Sequence, residues 1–143
     1  MKVTFKIILI AASSMLFNSC KKYEGEGGKG TITGKIVINE KLYVSSNYSE
    51  TITYDGAEED VYIVYGTGDL IQDDKFSCNY DGTFTFKYLQ PGTYTVFAYS
   101  KIFHKGLNVI SNDDDYYTKE VVKTTVELKK KEDLNIGTIT LIK

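Results

Sequence analysis

The stretch "DGTFTFKYLQPGTYTVFAYS", residues 81–100, alternates apolar and polar side chains on both sides of the only proline in the chain. Such a period of two places successive side chains on opposite faces of a pleated strand. Phe84 and Phe86 therefore share one face and Thr83 and Thr85 the other; further on, Tyr94, Val96 and Ala98 share a face, and Phe97 and Tyr99 point the opposite way. Between the two runs, Pro91 presets φ at the first turn position and Gly92 tolerates a left-handed second one, which predicts a hairpin. Asp81-Gly82 supplies the turn on the upstream side. The expectation is that Phe84, Phe86, Tyr94 and Val96 are buried across one core.

The same alternation recurs to either side. Strand-like segments are read at 30–38 ("GTITGKIVI"), 60–66 ("DVYIVYG"), 75–80 ("KFSCNY"), 82–89, 93–102, 117–128 ("YTKEVVKTTVEL") and 135–142 ("NIGTITLI"), each bounded by turn residues. No window shows a helical period of comparable strength. Seven such strands in about 110 residues predict an all-β, antiparallel Greek-key β-sandwich of the prealbumin-like or Ig-like kind, since a single open sheet would leave one face unburied. The segment 39–59 is long for a hairpin loop and leaves room for an additional short strand around Glu50 to Tyr54.

The chain has 143 residues, 42% hydrophobic and 25% charged, which suits one domain. Lys2 and Lys6 precede an apolar run from Ile7 to Phe17, too short to span a bilayer and followed by small and polar residues up to Cys20. Ser19-Cys20 resembles the end of a bacterial lipoprotein signal, although Phe17 and Asn18 depart from the usual residues of that box; the competing reading is a plain secretory signal with Cys20 as an ordinary thiol. The organisation expected is a lipoprotein signal peptide over 1–19, a flexible tether over 20–30 and a sandwich over 31–143. The glycines and charges of "KKYEGEGGKG" at 21–30 support the tether. Lipid on Cys20 implies membrane attachment of the mature chain.

Removing Lys2 and Lys6 with the signal leaves 15 of the 17 basic residues against 19 acidic ones, a net charge of −4. That balance argues against a nucleic-acid partner, which needs a clustered basic face. All the basic residues are lysines, so the bidentate guanidinium fork for phosphate or carboxylate is missing. With Cys20 acylated, Cys78 has no disulfide partner, and a lone cysteine in a strand is expected to be a small buried hydrophobe.

Asp81, Gly82, Phe84, Phe86, Leu89, Pro91, Gly92, Tyr94 and Val96, with "GTITGKI" before them and "DLNIGTITL" after, resemble the carboxypeptidase regulatory-like family over roughly residues 30–142. The family is a transthyretin-like β-sandwich used as a module on secreted and surface proteins of bacteria. Every matched residue is a core or turn residue, so the resemblance implies an architecture and a non-catalytic module rather than a site. The related hydroxyisourate hydrolases rely on several histidines, an arginine and a C-terminal Tyr-Arg-Gly-Ser motif. This chain has one histidine and no arginine and ends "TITLIK".

Candidate sites are few. His104 is the only imidazole and reads as a solvated loop residue, with no nucleophile elbow to serve. One histidine and one free cysteine fall short of a zinc set. Asn112, Asp113, Asp114 and Asp115 form an oxygen-rich run that could hold calcium, without EF-hand spacing; Asp73-Asp74 and Glu58-Glu59-Asp60 complete such a site only if the fold gathers them. The outward rows are more suggestive: Tyr62, Phe97 and Tyr99 are expected to form one exposed aromatic patch for a sugar or an apolar partner. The alternative is that 39–59 or a second sheet covers it. The functional expectation is a lipid-anchored, non-enzymatic envelope module of the outer membrane, on its periplasmic or surface side, with no cofactor and an envelope protein or glycan as partner. The alternative is a carbohydrate- or calcium-dependent surface adhesion module.

Overall fold

A computed structural model describes residues 24–44, 47–68, 71–104 and 115–143, with the side chains of 43–44 and 47–49 outside that description. These residues form eight strands: β1 (Glu26–Val44), β2 (Asn47–Asp55), β3 (Asp60–Tyr65), β4 (Asp74–Ser77), β5 (Thr83–Leu89), β6 (Gly92–His104), β7 (Tyr116–Leu128) and β8 (Asp133–Ile142). The architecture is all-β, two facing sheets. Eight strands replace the expected seven because the segment 39–59 is a hairpin: β1 runs on to Val44 and β2 returns along it, pairing Val37 with Asp55 through Leu42 with Glu50. At its other end β1 begins at Glu26 rather than Gly30.

In the first sheet β1 is central. On one edge it meets β5 with its first half and β2 with its second, both antiparallel, while β8 lies along its other edge. β8 runs parallel to β1, pairing Ile32 with Leu134 and Ile38 with Leu141, so the all-antiparallel expectation fails at this one ladder. The second sheet has the order β4-β3-β6-β7 and is antiparallel throughout.

The hairpin expected of residues 81–100 is not one. β5 belongs to the first sheet and β6 to the second, so Gln90 and Pro91 form a corner between the sheets. The two apolar rows face one another across the core instead of lying side by side. Left-handed backbone occurs at Tyr88 (φ 62°) and not at Gly92. Local sequence could not distinguish these cases, because proline and glycine punctuate a corner as readily as a hairpin. The upstream turn is as expected: Gly82 has φ 76°, and a Cβ there would come within 2.4 Å of the Ile36 carbonyl oxygen.

The core is the expected one. Ile32, Ile36, Ile38, Phe84, Phe86, Leu89, Ile139 and Leu141 of the first sheet pack against Val61, Ile63, Tyr94, Val96, Ala98 and Leu128 of the second. The phenol of Tyr94 is buried at the corner, where it donates to the Gln90 carbonyl at 2.7 Å and accepts from the Gly25 N–H at 3.0 Å. A strand tyrosine bonded back to a carbonyl four residues earlier clamps a corner of this kind. Here it also fixes the incoming chain, since Gln90 N–H donates to the Gly25 carbonyl at 2.8 Å and the Gln90 side chain to that of Glu26 at 2.9 Å.

Candidate functional site

Tyr62, Phe97 and Tyr99 are brought together. β3 and β6 pair Tyr62 with Phe97, and a period of two puts Tyr99 on the same outer face of the second sheet. The Tyr62 and Phe97 rings stack at 5.1 Å, and Tyr99 meets Phe97 and Tyr62 edge-on, each at 5.7 Å. The cluster differs from the expected platform in one respect: Phe97 is 0% exposed, and Val64 and Thr95 beside it are also buried. Phe97 is therefore a base, flanked by the half-buried rings of Tyr62 and Tyr99. Burial, with the charge of Asp60 second, raises the Tyr62 phenol, which stays protonated and able to donate. β1 and β2 belong to the other sheet, so residues 39–44 and 47–55 are not paired over these rings.

The outer row continues beyond Tyr99. β6 extends to His104, and its ladder with β7 sets Tyr99 opposite Val121, Lys101 opposite Lys119 and Phe103 opposite Tyr117. The Lys119 ammonium lies over the Tyr99 ring, 5.7 Å from its centre, which links the cluster to the end of the sandwich. There the ends of β1, β6 and β8 and the start of β7 enclose a cleft of about 340 Å³, with an apolar floor of Leu42, Ile102, Phe103 and Ile142. An adjoining hollow of about 500 Å³ is lined by Glu40, Lys101, Tyr117, Lys119 and Lys143. Tyr117 is 67% exposed and its ring packs on Phe103 at 5.3 Å. Lys143 pairs with Glu59 and the Glu40 carboxylate accepts from the Tyr54 hydroxyl at 3.0 Å; among the described residues no carboxylate pairs with Lys41, Lys101 or Lys119. These dimensions suit a small ligand with an apolar or aromatic face and a negative group.

The other expected residues are placed as follows. Cys78 is buried in the core, as read, and burial pushes its thiol up to about 11, which suits packing and not nucleophilic attack. His104 is not a solvated loop residue: it ends β6, bonds through Nε2 to the Thr118 hydroxyl at 2.8 Å and stacks on Tyr116 at 4.8 Å. Asp73 accepts from the Tyr65 N–H at 2.7 Å, and Asp60 accepts from Ser77 at 2.7 Å and Lys75 at 3.0 Å. These acids serve the scaffold, and no group of three potential metal ligands occurs among the described residues. Cys20, Asn112, Asp113 and Asp114 lie outside the described residues; Asp115 is half-buried just before β7.

Phe103 fell outside the strand read over 93–102, whereas Lys101, Tyr117 and Lys119 lay inside the strands read over 93–102 and 117–128 and were not singled out, because only the register of β6 on β7 brings them together. For Phe103 the signal was present. Extending the alternation by one more step, through Phe97, Tyr99, Lys101 and Phe103, would have continued the outer row to the end of the strand.

No family model matches the chain, and no curated protein resembles it significantly. Among solved structures, a protein of Pseudomonas aeruginosa provisionally described as carbohydrate-binding shares the fold with a TM-score of 0.50 and 11% identity, over 91% of this chain and 96% of its own. A 9R-lipoxygenase of Cyanothece aligns with 95% of this chain but 20% of its own length, at a TM-score of 0.39 and 13% identity.

Proposed function

We propose that this chain is a lipid-anchored, non-enzymatic β-sandwich module of the bacterial outer membrane, of the carboxypeptidase regulatory-like kind, which displays a binding cleft away from its anchor. The observation that carries the reading is the polarity of β6. Tyr94 near its start and Gln90 in the corner just before it hold the incoming segment at Gly25. Ile102 and Phe103 near the end of β6 line the cleft, about 30 Å along the strand from Tyr94. Attachment through Cys20 thus sets the aromatic and lysine-bearing end at the opposite end of the strand from the anchor. The buried thiol of Cys78 and the engaged imidazole of His104 support a binding role over a catalytic one. A saccharide ligand is favoured over a protein by the exposed Tyr117 ring beside polar groups and by the fold shared with the Pseudomonas aeruginosa protein.

Labelled palmitate and membrane fractionation test the anchor. Wild type should take up label and sediment with membranes, and Cys20→Ser should do neither; equal labelling of the two ends the lipoprotein reading. A glycan array probed with and without chelator tests the ligand class, and a signal that vanishes with chelator returns calcium to the account.

A further inference from the structure

We propose that the hollow adjoining the cleft at the end of β6 selects carboxylate-bearing saccharides, with Tyr117 as the stacking surface for a sugar ring and Lys101 and Lys119 as joint partners of the carboxylate. The inference rests on the saccharide reading above and adds the charge of the ligand and the residues that read it.

Lys101 and Lys119 are directly opposite one another in the β6–β7 ladder, so two ammonium-bearing side chains rise side by side from the same face. Like charges placed directly across a strand pair repel, and natural sheets usually put an acid at one of the two positions. No carboxylate among the described residues answers either of them. An anion seated between the two amines would relieve that repulsion. It would gain charge-assisted hydrogen bonds from both.

The chemistry of the anion is narrowed by what surrounds the pair. Tyr117 and Phe103 are the next cross-strand pair on the same face of these two strands, and Tyr117 stands largely in solvent while packing at a tilt on Phe103. On the other side Lys119 leans over Tyr99. A ligand that uses both features needs a flat, weakly apolar face for the ring and a negative group one residue pair away, about 7 Å along the strands. A sugar ring stacked on tyrosine with a carboxyl on C5 carries its charge close to the ring, and the flexible four-carbon stems of the two lysines can reach back along the strands to meet it. A neutral sugar would leave the lysine pair unanswered. The guanidinium fork is missing for phosphate and carboxylate alike, so the anion is met by two separate point charges, which the two oxygens of one carboxylate can answer together.

The test is calorimetric titration of the full chain with a galacturonic acid trimer and with the corresponding galactose trimer. The uronide should bind about tenfold more tightly than the neutral sugar, and high salt should close the gap. Lys101→Gln with Lys119→Gln should bring the two sugars to equal affinity while leaving the melting midpoint unchanged or higher, since a repulsion is removed. Tyr117→Ala should weaken both sugars. Equal binding of the two sugars by the wild type overturns the inference and leaves the saccharide reading standing. Uronide binding unaffected by the lysine substitutions places the site elsewhere and also overturns it. If neither trimer binds, the inference and the saccharide reading fall together, and anchoring through Cys20 is decided by palmitate labelling alone.

Discussion

At the Gly92 end of β6 the Tyr94 phenol is fully buried and bonded to Gly25 and Gln90, whereas at the His104 end Tyr117 is 67% exposed beside two lysines that face one another. One strand carries both ends, with the same alternation of side chains. The difference lies in what the alternation meets. At the first end the other sheet and the incoming chain close over the phenol, and its polar partners there are backbone groups, the Gly25 N–H and carbonyl and the Gln90 carbonyl. At the second end the outer row carries Tyr117, which is largely exposed, and two lysines that no carboxylate among the described residues pairs with. Tyrosine suits both positions because it joins an apolar body to a polar tip.

Truncating the two tyrosines should separate the ends most sharply. Tyr94→Ala should cost about 3–5 kcal/mol, the range for a buried aromatic reduced to a methyl, and Tyr117→Ala should stay within about 0.5 kcal/mol. Urea melts of both variants check this; comparable losses would mean that the far end is also part of the core. Tyr94→Phe is a finer probe. It keeps the ring but leaves the Gly25 N–H and the Gln90 carbonyl without the hydroxyl, for an expected loss of about 1–3 kcal/mol. Hydrogen exchange at Gly25 should accelerate in that variant, while amides near Ile102 should not change.

A smaller effect comes from the β3–β4 edge. Hydrogen bonds from Ser77 and then Lys75 hold the Asp60 carboxyl below its ordinary value. A lowered folded value means that the stabilisation is fully present above the ordinary aspartate value of about 3.9 and is lost as pH falls through the lowered one. The site is partly solvated, so the effect should be under about 1 kcal/mol. In Asp60→Asn the decline in stability between neutral pH and pH 3 should be correspondingly shallower than in wild type, and an identical decline would show that the pair contributes nothing. Smallest of all is the response of the free domain to Lys101→Gln, where the melting midpoint should hold or rise slightly as the Lys119 repulsion is removed.

Much of this was legible beforehand. The apolar rows at Phe84–Phe86 and at Tyr94–Val96–Ala98 follow from alternation alone, because a pleated strand has only two faces and one of them must be buried. The grouping of Tyr62, Phe97 and Tyr99 on one outer face follows in the same way. The burial of Phe97 did not, since alternation assigns a face but not what lies over it. The residues at the far end of β6 were hidden for another reason: apart from Phe103 they lay in segments read as strands, but only the β6–β7 register sets Lys101 opposite Lys119 and Phe103 opposite Tyr117.

What the sequence determined by itself is the set of strands with a preferred inner face, the Gly82 turn and the fate of Cys78 as a packed thiol, all of which depend on neighbours in the chain. Only the tertiary structure decided that β5 and β6 lie in different sheets, that β8 runs parallel to β1 and that Lys101 faces Lys119. The physical reason is that pairing partners are chosen by long-range burial. A strand shows its amphipathic pattern within six or seven residues, but which edge it joins depends on how two whole sheets cover one another, and that information is spread over the entire chain.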